Sequence, residues 1–171
     1  MADRTVIRTT GGIRRGLRKL VESEELGESF ALVAASHARE ERQEEAWRTI
    51  HALEAQTNEA TRKFLQHSGV CVKPTNRLAG TAGRFAAPPS VYWPWRVQLH
   101  SLRLATRRYL PVFQRLSDAF YGTAHQDFFE YVVDHEVAII GFIERELAGK
   151  PASLDAIHRL LDAAVPTVDP D

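Results

Sequence analysis

Apolar residues recur every three or four positions along most of this chain, the spacing of one face of an α-helix. Leu26, Phe30, Val33 and His37 trace such a line over about 23–38, and Trp47, Ile50, Leu53, Thr57, Thr61 and Phe64 trace a second over about 43–66. The charged run 39–45 between them has nothing to pack and predicts a short turn. Gly69 stops the second helix. A third, from about 91 to 120, carries Trp95, Leu99, Leu102, Thr106, Tyr109 and Phe113, with Pro111 predicting a kink. Gly122-Thr123 makes a tight connection, and Thr123 is placed to cap a fourth helix running to Gly149, with Phe128, Phe129, Val132, Ile139, Ile140, Ile143 and Leu147 on one side. Pro151 and Ser153 start a short last helix to about residue 164. Upstream, Ile13, Leu17, Leu20 and Val21 mark a basic helix after Gly11-Gly12.

The rhythm is a short turn, a crossing of about twenty residues rich in proline and glycine, and another short turn. Short turns join antiparallel neighbours, and a single long crossing is the habit of ferritin-like bundles. The expected fold is therefore all-α: a four-helix bundle over 23–164, with 1–22 a basic N-terminal segment and 165–171 a polar tail.

Composition narrows the partners. Twenty-two basic and 22 acidic residues cancel, which argues against nucleic acid, since phosphate binding needs a surplus of Lys and Arg. No apolar run approaches the roughly 20 residues that span a bilayer. The single cysteine, Cys71, cannot close an internal disulfide, and no secretory signal pattern precedes the chain, so a cytoplasmic protein is expected. The basic start also has the look of a transit peptide, an alternative to a solvated helix.

Four polar residues interrupt the apolar faces. Glu54 lies within the apolar arc of the second helix, Glu136 amid that of the fourth with His135 at its edge, and His37 continues the line of the first. A buried carboxylate is costly unless paired, hydrogen-bonded or metal-bound. Facing helices that aim two carboxyls and two imidazoles inward predict a site, with Tyr109 of the third helix in reach. His37, Glu54, His135 and Glu136 have the chemistry of a mononuclear metal site for iron, manganese or zinc. Without metal, Glu54, His135, Glu136 and Tyr109 suit acid–base catalysis on a small molecule, since an apolar pocket raises a carboxyl's pKa. A structural hydrogen-bond network remains the alternative.

With these residues in view, the chain resembles the ferritin-like superfamily. The stretch 47–57 (WRTIHALEAQT) is similar to that group's second helix, and His135-Glu136 falls where the fourth carries its ligands. The resemblance implies a metal-bearing bundle; the di-metal members use Glu-x-x-His on two helices. Here Thr57 stands at the histidine position after Glu54, and Val132 at the glutamate position before His135, so the full di-iron set is incomplete.

No nucleotide-binding or serine-hydrolase motif is present. Asn76, Arg77 and Arg84 could close over an anion from the long crossing. The run Ala31, Leu32, Val33, Ala34, Ala35 leaves little for water, predicting a homodimer with this helix or the basic N-terminal helix at the contact. A non-catalytic scaffold is then the competing function.

Overall fold

The computed structural model describes residues 10–68, 70, 72 and 90–166. Most of the long crossing, with Cys71, Asn76, Arg77 and Arg84, lies outside these residues, as do the first nine and the last five. Five helices and no strand are found among the described residues: α1 (Gly11–Ser36), α2 (Glu41–Ser68), α3 (Trp95–Phe120), α4 (Gln126–Leu147) and α5 (Asp155–Asp162).

The first helix differs most from expectation. Thr10 caps it by accepting the Ile13 N–H at 3.4 Å, and it runs unbroken through the basic segment to Ser36. Leu17 and Leu20 are fully buried, so residues 11–22 share the bundle's core. The packed face is the spacing Leu17, Leu20, Glu24, Gly27, Ala31, Ala34, a three-four alternation. Leu26, Phe30 and Val33 lie at its edge, half-buried. The apolar run is largely covered within the chain: Ala31 and Ala34 are buried, and Leu32 is the large side chain left to solvent.

α1 packs on α2 and α3 on α4, and these hairpins join through α1 on α3 and α2 on α4. At one end Trp47 of α2 meets Phe30 of α1 and Trp95 of α3 edge to face, with ring centres 5.4 and 6.0 Å away, and Arg42 bridges Glu146 of α4 at 2.8 Å. At the other, Phe64 of α2 packs against Phe120 and Phe128 at 6.1 and 5.0 Å. Each neighbouring pair is therefore antiparallel, while α2 and α3 run in one direction and α1 and α4 in the other. α3 continues as one helix through Pro111, which is exposed. Thr123 serves the α3–α4 turn and not α4 itself: its hydroxyl donates to Phe120 O at 2.6 Å and accepts from His125 N–H at 3.2 Å. Gly122 supplies the left-handed φ of 72° that this turn needs.

Glu146 locks the first end. Its carboxylate accepts from Arg42, Trp95 and Ser153, and the Arg42 hydrogen bond is the main cause holding it down at about 2. No described helix is long and apolar enough to cross a membrane.

The core falls into two apolar clusters. One holds Ala31, Ala34, Trp47, Ile50, Leu53, Leu99, Ile139, Phe142 and Ile143; the other holds Leu17, Leu20, Phe64, Phe113, Leu116, Phe120, Phe128, Phe129 and Val132. Along α1, α2 and α4 the buried residues between the two clusters are Glu24, Glu54, Thr57, Asn58, Thr61, His135 and Glu136. A polar layer thus crosses the middle of the bundle.

Candidate metal and acid–base site

Three helices build this layer because each carries one or more polar residues in an otherwise apolar stripe. Glu24 comes from α1, Glu54 and Thr57 from α2, and His135 and Glu136 from α4. His135 is 1% exposed, and no other basic side chain is buried among the described residues.

Counting hydrogens settles the imidazole's orientation. The Thr57 hydroxyl has one proton and donates it to Leu53 O at 3.0 Å, the usual bond back to the preceding turn. The His135 Nδ1 at 2.8 Å and the Tyr131 hydroxyl at 3.2 Å must then both donate to Thr57 Oγ1. Tyr131 in turn accepts from Gln56 Nε2 at 3.3 Å. With its proton fixed on Nδ1, His135 turns Nε2 toward Glu54 Oε1, 3.6 Å away. Glu24 Oε2 lies 3.9 Å from Nδ1 and is fully buried with no hydrogen-bond partner.

Such crowding of acids changes their protonation. Burial, the largest influence, raises Glu24 well above the usual carboxylate range, and the charges of Glu54, Glu136 and Glu28 add to it against the pull of His135. Burial and the Glu54 charge push Glu136 up to about 8, again against His135. For His135 burial pulls downward most strongly. The charges of Glu24 and Glu54, the bond to Glu54 and the charge of Glu136 together exceed it and lift the imidazole to about 10. Near neutral pH Glu136 and both nitrogens of His135 therefore hold their protons, and burial favours the protonated form of Glu24 as well.

The layer forms the inner wall of a cavity of about 350 Å³ between α1 and α3. Phe30, Trp47, Ile50, Leu102, Ala105 and Tyr109 are among the residues that line it, and so are Glu24, Glu54 and Glu136. Gly27 of α1 lets Glu54 lie there: a Cβ at this position would overlap the Glu54 carboxyl carbon and both oxygens. Gly27→Ala should therefore displace the Glu54 carboxyl while leaving the fold, since alanine in a helix interior gains up to about 1 kcal/mol over glycine. Thermal melting with a ligand-binding assay checks this; unchanged binding would show that Glu54 has another place to go.

Among the residues expected from the sequence, Glu54, His135 and Glu136 meet here. Tyr109 lines the same cavity, half-buried and stacked on Phe113 with ring centres 6.0 Å apart; no hydrogen bond joins it to the carboxyls. His37 does not belong to the site. α1 ends at Ser36, so His37 is its C-cap, exposed, with Nδ1 turned back to Val33 O at 2.9 Å. Glu24 takes its place among the acids, a residue that sequence reasoning passed over. Its signal was present, four residues after Leu20 and seven before Ala31, and became visible only once α1 was known to start at Gly11.

The ligand atoms of Glu24, Glu54 and His135 all lie within 4.8 Å of one another, a grouping that could hold a metal ion. Ligands of a tetrahedral ion with bonds of about 2.0–2.2 Å stand roughly 3.3–3.6 Å apart, so small side-chain movements close the set. Comparison with protein-family models, curated proteins and solved structures finds no significant match, so no relative lends this site a chemistry.

Proposed function

We propose that this protein is an enzyme that binds one divalent transition-metal ion on Glu24, Glu54 and His135 Nε2 and acts on a small organic molecule held in the adjoining apolar cavity. The observation that carries this reading is the unpartnered, buried Glu24 oxygen, beside a second carboxyl and an imidazole nitrogen, at the wall of that cavity. Buried polar atoms are rarely left without a partner, and a cation shared by two carboxylates and an imidazole satisfies all three. Zinc, manganese and iron(II) suit this mixed oxygen and nitrogen set. The helix directions, α1 with α4 and α2 with α3, support a ferritin-like layout with a reduced ligand set.

Thr57 fits the same reading. It stands at a position where di-metal bundles carry a ligand, and it accepts the Nδ1 proton of His135. That fixes the tautomer and leaves Nε2 to bind, the usual work of an outer partner of a histidine ligand. A bound ion would polarise a substrate oxygen or lower the pKa of a water. The protein supplies the rest. Phe30 and Trp47 give the cavity an apolar wall, and Glu136, protonated up to about pH 8, faces it as a proton donor.

The same Glu136 favours a second reading, a metal-free acid–base catalyst in which Glu136 gives a proton and Glu54 accepts one. Elemental analysis of protein purified without chelator separates the two. The metal reading expects about one ion per chain, and Glu24→Gln and Glu54→Gln each to fold and lose it. Thr57→Val should weaken metal affinity by about 10–100-fold. Protein that takes up no zinc, manganese or iron(II) on dialysis leaves only the acid–base reading.

A further inference from the structure

A second cavity, of about 450 Å³, continues the same groove between α1 and α3. It is lined by Arg15 and Lys19 of α1 and by Arg108, Tyr109, Val112 and Arg115 of α3, and Tyr109 belongs to both cavities. Lys19 pairs with Glu22 at 3.2 Å. Arg15, Arg108 and Arg115 have no acidic partner among the described residues, and no acid lines this cavity. In a chain with no net charge, four cations around one hollow are a local excess. Along the groove the order is then fixed: a basic hollow, the Tyr109 ring, an apolar chamber, and three carboxyl groups at the inner wall.

We propose that the ligand of this groove is an amphipathic anion, its carboxylate or phosphate among Arg15, Lys19, Arg108 and Arg115 and its apolar body in the inner chamber. This rests on the chamber being the substrate site. Charge sets the orientation, because the outer hollow offers an anionic head four cations and no acid, whereas the inner chamber is walled mainly by apolar side chains that suit the body. The part of the molecule brought to the reactive layer is then the end remote from its acidic head. At the ~30 Å³ share of a water molecule, a chamber of about 350 Å³ holds roughly a dozen non-hydrogen atoms, the size of a medium-length chain.

Decanoate, decyl phosphate, decan-1-ol and decylamine, kept below micelle concentrations, test this by calorimetry and by tryptophan fluorescence, since Trp47 and Trp93 line the chamber. Exposed ion pairs are individually weak, so several together should favour decanoate over decan-1-ol by about tenfold, an advantage that shrinks with salt. Decyl phosphate against decanoate distinguishes the two head groups. The double variant Arg108→Gln, Arg115→Gln alters exposed residues only. It should bind decan-1-ol like the parent and lose most of the preference for decanoate. Decan-1-ol or decylamine binding the parent as tightly as decanoate overturns the proposal, as does a double variant that keeps the preference. Failure of all four to bind does so too. Metal content is measured separately, so a metal-loaded protein indifferent to the head group sinks this inference alone, and a metal-free protein that prefers decanoate sinks only the metal reading.

Discussion

The metal-free protein should melt at steadily lower temperature as the pH is raised from about 5 to about 9, the reverse of what paired surface carboxylates produce. Glu136 releases its proton at about 8 in the fold and at about 4.3 in an unfolded chain. Between those values the folded state keeps a proton that the unfolded state has given up, so stability falls as pH rises. His135 acts in the same direction. It holds its proton to about 10 in the fold against about 6.5 unfolded, so the stability it contributes is complete below about 6.5 and lost on the way to 10. Each such proton lowers stability by about 1.4 kcal/mol per pH unit, and between about 6.5 and 8 both contribute. Glu24, raised by burial, reinforces the trend. For a chain of this length, 1 kcal/mol moves Tm by about 2–4 °C, so with both groups contributing a fall of about 6–11 °C per pH unit is expected near neutrality. Differential scanning calorimetry of chelator-treated protein measures it. A Tm that stays flat or rises across this range would mean that water reaches the layer and its acids ionise normally. Metal reverses the sign: its ligands must lose their protons, so binding tightens as pH rises, and loaded protein should hold its Tm.

His135→Leu should cost the metal-free protein about 3–5 kcal/mol at pH 7, the usual penalty for removing one partner of a buried ionic cluster. The imidazole is the cation facing both Glu24 and Glu54, at 3.9 and 3.6 Å. Leucine fills similar space, so little of the loss comes from packing. The variant leaves acids with nothing positive beside them and leaves Thr57 Oγ1 without one of its donors. Denaturant unfolding measures the loss, and the same variant should bind no metal. A loss below about 1 kcal/mol, in the range of one ordinary hydrogen bond, would mean that no buried charge depends on the imidazole and that it is no more than a packed ring. Total stability of a domain is typically about 5–15 kcal/mol, so the expected cost brings the chain near its folding threshold.

Much of this architecture is written in local periodicity. The near boundaries and the faces of α2, α3 and α4 follow from apolar residues at three- and four-residue spacing, because such a helix must bury that stripe. Glu54, His135 and Glu136 were legible for the same reason: each is a polar residue on a stripe whose period is unambiguous. What the sequence could not supply was the phase of α1. Its basic residues suggested a separate segment, yet their long side chains reach solvent from a helix whose other side is Leu17, Leu20, Ala31 and Ala34. With the helix begun too late, the line through His37 looked central and Glu24 was lost. Only tertiary packing decided which side of α1 meets the core, and with it the membership of the site. The same holds for Gly27, whose missing side chain matters because Glu54 of another helix lies against it. It holds too for the basic hollow beside the apolar chamber, assembled from α1 and α3 residues nearly a hundred positions apart. Period is a property of one helix, whereas cavities, protonation and charge complementarity arise between helices, where distance along the chain carries no information about distance in space.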